Sequence, residues 1–287
     1  MGGCRGPAFG QIGPWRVEAK GVRLLKPDLR GTRNGAQCAA TGNAAATVNC
    51  QLTTDNWQLT TAMYVLYLGN KNYSSWSLRG WFAAKLSGRP FREVAVQLVD
   101  GGRNPKNKAF SPSGWVPALH DGDTVVWDSM AIAEYLAERH PGMWPTDAAA
   151  RAWARSVSAE MHSSFQALRR DMTMCVRERL DVRPWSPALA ADIARVDEIW
   201  NEGRRRYGRL GAFLCGPLSL ADAFYAPVAF RFQTYGVHPS GAAGEYLATL
   251  LAHPFMREWE RDALAEKVVI DADEPRTIYR DKLARPR

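Results

Sequence analysis

The sequence of 287 residues contains no run of apolar residues that approaches the roughly 18 needed for a membrane-spanning helix. It has only five cysteines, three of which precede residue 63, and it has no CxxC pair. This sparse spacing argues against a disulfide framework and against a zinc site. The sequence therefore predicts a soluble, cytoplasmic protein that binds no metal.

The formal net charge of +8 is not concentrated in any one segment. Residues 1–62 carry seven Lys and Arg against three Asp and Glu, and the other 225 residues carry thirty against twenty-six. Nucleic-acid-binding segments combine a basic block with interleaved aromatic residues, and no such block occurs here. We expect neither a nucleic acid nor a membrane as partner. A small anionic ligand or a solvated surface would explain the charge equally well.

Residues 1–62 differ in composition from the rest of the chain. They are rich in Gly, Ala, Thr and Asn and show no sustained apolar periodicity. Such a segment cannot bury enough apolar surface to offset the entropy lost on ordering. We predict that it is a disordered or non-native N-terminal extension. Because Met63 directly precedes the first clear strand pattern, the folded part is expected to begin there.

The segment 63–143 shows strand and helix patterns in the order β-α-β-β-β-α, which predicts a mixed four-stranded sheet with helices packed on it. The hairpin is indicated by Asp121-Gly-Asp123, which separates two short apolar runs. The predicted elements are strand 63–69, helix 76–88, strand 92–98, strands 117–120 and 124–127, and helix 129–142.

Residues 148–265 change to a continuous helical periodicity, and they predict an all-helical domain. Apolar residues between 153 and 172 recur every three or four positions, which predicts one long helix. Pro227 lies inside another helical run and is expected to bend or split that helix. The tail, residues 266–287, is polar and is expected to be irregular.

Three serines, Ser74, Ser75 and Ser77, lie between the first predicted strand and the first predicted helix. A helix N-terminus presents unpaired N–H groups and the positive end of the helix dipole, so it can bind an anion. Serine is also a favoured N-cap residue, and capping alone would explain the cluster. From these residues alone, a catalytic role and a purely structural role both remain open.

Two further candidate sites lie where predicted elements begin. Pro117 follows Val116 at the start of a strand, where it marks either an ordinary junction or a cis peptide. Asp128 and Ser129 begin a helix and are expected caps. Alternatively, the two residues bind a ligand. The Asp128 carboxylate would accept a hydrogen bond from an amine of the ligand, and the Ser129 hydroxyl and the helix N-terminus would bind a carboxylate of the ligand.

Ser219, followed three residues later by Asp222, predicts a capping box at the start of an apolar helix. With “YSSWSLR”, “SGWVPALHDGDTVVWDSMAIAEYL” and “SLADAFYAP”, the chain from Met63 to about Glu266 resembles the cytosolic glutathione S-transferase family, and specifically its serine-type, zeta-like bacterial members. The resemblance implies a thioredoxin-like, glutathione-binding domain without the CxxC pair, followed by an all-helical domain. It also implies a homodimer.

The resemblance assigns a role to the serine cluster. In such enzymes the first hydroxyl of the motif lies five residues before an arginine, as Ser74 does before Arg79. Ser74 is therefore favoured as the catalytic group that stabilises the glutathione thiolate, with Ser75 as the near alternative. Because cysteine is absent from residues 63–174, the thiol-dependent activities of the family are disfavoured.

The resemblance also implies how glutathione binds as a cosubstrate. The family's cis-proline corresponds to Pro117, and the backbone of Val116 would pair with the cysteinyl part of glutathione. Asp128 and Ser129 match the acid–serine pair that holds the γ-glutamyl end. Most members have Glu where this sequence has Asp128, so the carboxylate arm is shorter here.

The implied function is that of a detoxifying glutathione S-transferase, in which the thiolate attacks a small hydrophobic electrophile. The electrophile pocket is expected between the two domains, lined by Met161, Phe165, Arg169 and Met172. Two alternatives stay open. One is a glutathione-dependent cis–trans isomerase similar to maleylacetoacetate isomerase, in which Arg79 or Arg169 would bind a dicarboxylate. The other is a non-catalytic binding or stress protein with the same fold.

Overall fold

The computed structural model describes residues 63–99 and 103–280, so the extension predicted at 1–62 lies outside the described residues. A four-stranded sheet has the spatial order β2-β1-β3-β4, in which β1 is parallel to β2 and the other neighbours are antiparallel. The mixed sheet predicted from the sequence is confirmed. Its strands are β1 (Tyr64–Leu68), β2 (Phe91–Ala95), β3 (Ala118–Asp121) and β4 (Thr124–Trp127).

Two helices, α1 (Ser75–Leu86) and α2 (Ser129–Arg139), accompany this sheet and pack against each other. Trp81 and Phe82 of α1 are completely buried. Burial of such side chains stabilises the fold by about 1.5–3 kcal/mol each. Gly80 of α1 lies against Pro117, where an added Cβ would stand only 2.9 Å from the proline ring. The glycine therefore lets α1 approach the start of β3 closely.

A helical region follows the sheet, which confirms the predicted fold class, while the predicted domain bounds stay a prediction. Within the described ranges, no helix is long and apolar enough to cross a membrane. The helices are α3 (Ala148–Ser163), α4 (Gln166–Asp171), α5 (Pro187–Tyr207), α6 (Leu220–Tyr235), α7 (Gly241–Ala252), α8 (Pro254–Ala265) and α9 (Pro275–Ile278).

The single long helix predicted over 153–172 is wrong, because the chain breaks between α3 and α4. Phe165 adopts a left-handed backbone with φ of 62°. Arg169 donates to the Met161 carbonyl, and to that of Ser164 at 3.0 Å, so exposed acceptors at the end of α3 are satisfied. The Asp192 carboxylate accepts the Leu168 N–H at 2.9 Å and serves the start of α4. Because the apolar periodicity continues across the break, the sequence pattern does not reveal it.

Pro227 does not split α6, which runs without interruption from Leu220 to Tyr235. Nearly every residue of α6 is buried, and the helix packs against α1, α3 and α7. Tertiary packing of this kind supplies most of a helix's stability in a protein. The surrounding elements therefore hold the helix although the proline lacks an N–H.

The tail is irregular over residues 266–270, as predicted, but the described residues after them form helical turns. A short 3-10 turn at Asp271–Asp273 precedes α9, and Glu274 between them is buried. Glu274 accepts hydrogen bonds from Tyr73 and Arg177, which lie far away in the sequence. The polar tail is held by these long-range pairs, and its local sequence does not reveal them.

Candidate active site

Ser74 is the N-cap of α1, and its hydroxyl is used within the turn. Its Oγ accepts the Ser77 N–H at 3.2 Å and donates to Ser77 Oγ at 2.8 Å. Ser77 Oγ in turn accepts the Gly69 N–H at 2.9 Å. This chain of hydrogen bonds ties the end of β1 to the start of α1 and leaves the Ser74 proton occupied.

Ser75 is the first residue of α1, and its hydroxyl has a different environment. Its Oγ accepts a hydrogen bond from Arg231 Nη2 at 3.2 Å. Among the described residues no acceptor takes the Ser75 proton. The side chain is only 6% exposed, yet it lines a cavity of about 310 Å³. Ser75 therefore offers a buried proton toward this cavity, which we call the serine cavity.

A second cavity of about 430 Å³ lies between the N-termini of α1 and α2, and Trp76, Trp115 and Val116 line both cavities. We call it the proline cavity because Pro117 lines it. The Val116–Pro117 peptide is cis, as the family resemblance implied. The main-chain N–H and C=O of Val116 form no hydrogen bond with any residue that the structure describes. A buried, unpaired peptide group is available to a ligand.

Asp128 and Ser129 line the same proline cavity at the start of α2. Asp128 caps α2 by accepting the Met130 N–H at 2.7 Å, and its other oxygen lies 3.3 Å from His162 Nε2. Burial alone would raise the pKa of Asp128, but the hydrogen bonds from His162 and Met130 bring that pKa below its usual value. Ser129 is 1% exposed, and its Oγ has no partner among the described residues.

Arg169 and Arg231 line the serine cavity, and Arg79 lies near both of them. Arg79 and Arg231 are 2% and 6% exposed, and Arg169 lines the cavity wall. None of them has a carboxylate within salt-bridge distance in the described ranges, and Nε and Nη1 of Arg79 have no hydrogen-bond partner there. The guanidinium carbons of Arg79 and Arg169 each lie 4.7 Å from the ring centre of Trp76. Asp273 also lines the cavity and favours the charged form of Arg231, so the two lining arginines leave an excess of one positive charge in the described wall.

The four residues predicted to line the electrophile pocket do not lie together in one cavity. Met161, Phe165 and Met172 are buried in the hydrophobic core, and of the predicted set only Arg169 lines the serine cavity. Sequence reasoning missed Arg231, although a single arginine inside the apolar run of α6 was a usable signal. It also missed the tail, whose residues 272 and 273 form part of the wall.

The chain is similar to known proteins over the segment that holds these residues. A family model described as the glutathione S-transferase N-terminal domain matches residues 73–139, a range that includes all six candidate site residues. The chain is 36% identical over 163 residues to a zeta class glutathione S-transferase of Euphorbia esula, which covers 54% of this chain and 70% of that protein. The chain belongs to the glutathione S-transferase family.

The chain is also similar to two proteins with other names. A maleylacetoacetate isomerase of Rattus norvegicus is 27% identical over 179 residues, which is 60% of this chain and 80% of that protein. A stringent starvation protein A homolog of Pasteurella multocida is 27% identical over 176 residues, which is 60% of this chain and 76% of that protein.

A solved structure has the same fold as this glutathione S-transferase family member. The glutathione transferase homolog from Burkholderia gl BGR1, crystallised with bound glutathione, has a TM-score of 0.53 and 22% identity. The match covers 71% of this chain and 98% of that chain.

Within the described residues no cluster of three or more His, Cys, Asp or Glu could hold a metal ion.

Proposed function

We propose that this protein is a glutathione transferase that binds glutathione in the proline cavity and stabilises its thiolate at the N-terminus of α1. The observation that carries the proposal is a pair of buried, unpaired groups on one cavity wall. They are the main chain of Val116 and the hydroxyl of Ser129. Buried polar groups in proteins are nearly always paired, so these two are suited to a bound ligand.

Glutathione offers complementary groups for this cavity. Its cysteinyl peptide would add to Val116 as a short extra strand. The carboxylate of its γ-glutamyl end would meet the Ser129 hydroxyl and the N-terminus of α2, where a negative charge is favoured. Its amine would meet the carboxylate of Asp128, which His162 and Met130 keep ionised.

The thiolate then faces the N-terminus of α1. A free thiol has a pKa of about 8.5, so it is mostly protonated at neutral pH. Lowering that pKa by two units requires about 2.7 kcal/mol of differential stabilisation, at about 1.36 kcal/mol per unit. A hydrogen bond to a charged acceptor contributes about 1.5–3 kcal/mol, and a helix N-terminus adds about 0.3–1 kcal/mol. One serine and the helix end therefore suffice.

Ser75 is the serine that we now favour for this role. The family motif favoured Ser74, but the Ser74 proton is already donated to Ser77 Oγ. The Ser75 proton has no acceptor among the described residues, and the hydroxyl lines the serine cavity. Since both serines begin the same helix, only a measurement on each variant separates them.

The second substrate would enter the serine cavity, where Trp76 and Trp115 provide apolar contact. A small hydrophobic electrophile suits these walls. Detoxification, a homodimer and a cytoplasmic location belong to the same proposal. The family resemblance is what supports them.

A second candidate, a glutathione-dependent isomerase, is supported by the positive charge of the serine cavity. Arg169 and Arg231 line it and no described carboxylate pairs with either. A dicarboxylate substrate would bring negative charge to these two arginines. Turnover of a cis-unsaturated diacid compared with that of its neutral diester distinguishes this candidate from conjugation of neutral electrophiles.

The first experiment is a titration of glutathione into the full-length protein, following the ultraviolet absorbance of the thiolate against pH. S-methylglutathione, which has no ionisable thiol, is the control ligand. We expect glutathione to bind and its thiol to ionise well below the free pKa. Binding without ionisation, or no binding, would favour the non-catalytic interpretation.

A further inference from the structure

Arg231 is a buried charge in the middle of α6, a helix whose residues are almost entirely buried. Its guanidinium donates to the Met172 carbonyl and, at 3.2 Å, to Ser75 Oγ. Burial, followed by the nearby charge of Arg169, lowers the pKa of Arg231 to about 10, so the side chain still carries its charge at neutral pH. A carbonyl and a hydroxyl compensate such a charge only partly.

The hydrogen bond from Arg231 determines what Ser75 can do. A serine hydroxyl has one proton and two acceptor lone pairs. Arg231 occupies a lone pair, so the proton must point elsewhere, and the serine cavity is the space that Ser75 lines. Arg231 lies 156 residues away from Ser75 in the sequence, so the helical region supplies this partner across the fold.

We infer that Arg231 is a positioning residue that orients the Ser75 hydroxyl to donate its proton to the glutathione sulfur. The role rests on the proposed function and adds to it a contribution from the helical region. No covalent bond to Ser75 forms, and Ser75 keeps its proton. The thiol proton passes to solvent, and the sulfur lone pair remains as the nucleophile.

The other charged and titratable groups near Arg231 do not duplicate this contact. Arg169 on α4 and Arg79 on α1 add positive charge, but neither is hydrogen-bonded to Ser75. Tyr235 on α6 and Asp273 in the tail favour the charged form of Arg231. Arg231 is therefore the residue that joins the positive cluster to the serine hydroxyl.

The test measures the pKa of the bound glutathione thiol by thiolate absorbance in the full chain and in Arg231→Met. Without the hydrogen bond from Arg231, the Ser75 hydroxyl is no longer held in the orientation that donates to the sulfur, so the thiol pKa should rise. We expect a rise of about one unit, which is about tenfold less thiolate at pH values below both pKa values. Methionine of similar volume replaces an incompletely paired buried charge, so the fold should be retained.

Two further variants show whether the effect passes through Ser75. Arg231→Lys keeps the charge but lacks the planar fork, and its thiol pKa should fall between those of the parent and Arg231→Met. In the Ser75→Ala background, Arg231→Met should add no further shift, because residues acting through one group are not additive. A full additional shift would show a direct field effect and overturn the positioning role.

Arg204→Met is the matched control. Arg204 also donates to main-chain carbonyls, those of Gly211 and Phe213, but it lines neither cavity. Its loss should leave the thiol pKa unchanged. If the unaltered chain binds no glutathione, both this inference and the proposed function fail. If glutathione binds and ionises equally in Arg231→Met and the parent, this inference alone fails.

Discussion

Helices α6 and α1 each have a buried serine at the N-terminus. They differ in whether the protein itself places a carboxylate there. At α6 the carboxylate of Asp222 is built in, and it accepts four hydrogen bonds, two of them from Ser219. At α1 no described residue supplies a carboxylate or accepts the Ser75 proton, and Arg231 donates to the Ser75 oxygen. A helix N-terminus attracts an anion in both places. The N-terminus of α6 already binds the Asp222 carboxylate, whereas the N-terminus of α1 is where we propose that an anionic ligand binds.

The α6 terminus should be the more costly to disturb. Asp222→Ala would remove the acceptor for the Leu214 and Ser219 N–H groups and the Tyr246 hydroxyl. Leaving buried donors unpaired costs about 1–3 kcal/mol each, and breaking a buried charged network costs about 3–5 kcal/mol. We expect a loss of about 3–5 kcal/mol in the free energy of unfolding, measured by denaturant titration.

Asp147→Ala gives the scale for this experiment. Asp147 caps α3 through a single hydrogen bond to the Ala150 N–H at 2.8 Å. Loss of one such cap costs about 1 kcal/mol. If Asp222→Ala costs no more than Asp147→Ala, then the closed network at α6 has no special role in stability.

Ser75→Ala tests the open terminus through function. Loss of a hydrogen bond to the thiolate, worth about 1.5–3 kcal/mol, should raise the bound thiol pKa by about 1–2 units. The free energy of unfolding should also fall by about 1–3 kcal/mol, because the buried Arg231 Nη2 loses its acceptor. Ser156→Ala, at an exposed position on α3, is the control. An unshifted thiol pKa in Ser75→Ala would exclude this serine as the donor.

Ser129→Ala tests the glutathione subsite. Loss of its hydroxyl should weaken glutathione binding about tenfold, which is about 1.4 kcal/mol, without shifting the thiol pKa. Calorimetry measures this affinity. Ser158→Ala is a close match because Ser158 is also buried with an unpaired Oγ, yet it lines neither cavity. Equal weakening by both variants would contradict a direct contact between Ser129 and glutathione.

Ser74→Ala should have the smallest effect. Loss of an N-cap costs about 1 kcal/mol in the free energy of unfolding. The bound thiol pKa should hardly move, because the Ser74 proton is given to Ser77 Oγ. Thermal unfolding and the pH titration together check this. A large pKa rise here, with none in Ser75→Ala, would restore the assignment favoured by the family motif.

The candidate site shows which functional residues can be predicted from a single sequence. Ser74, Ser75, Val116, Asp128 and Ser129 were selected from short motifs, and the structure brings them to two adjoining cavities. Each stands at the start of an element or beside the cis-proline, where capping and turn preferences act within a few residues. Such local preferences are written in neighbouring residues and can be recognised without a structure.

The features that the sequence did not predict correctly depend on residues that are distant in the chain. The break at Phe165 is supported by Arg169 and by Asp192 from the next helix, and the apolar stripe runs through it unchanged. The polar tail folds because Glu274 meets Tyr73 and Arg177. Periodicity reports which face of a segment is buried, but it does not report which distant group will satisfy a broken end.

The sequence by itself determined the order of the strands and helices in the sheet region, the caps at α1, α2 and α6, and the membership of a glutathione-binding family. Only the tertiary structure decided which serine has a free proton and which arginine stands beside it. The reason is physical: Ser75 and Arg231 are 156 residues apart and meet only when α6 packs against α1. Short-range preferences select the elements, and long-range packing decides which polar groups remain unpaired for chemistry.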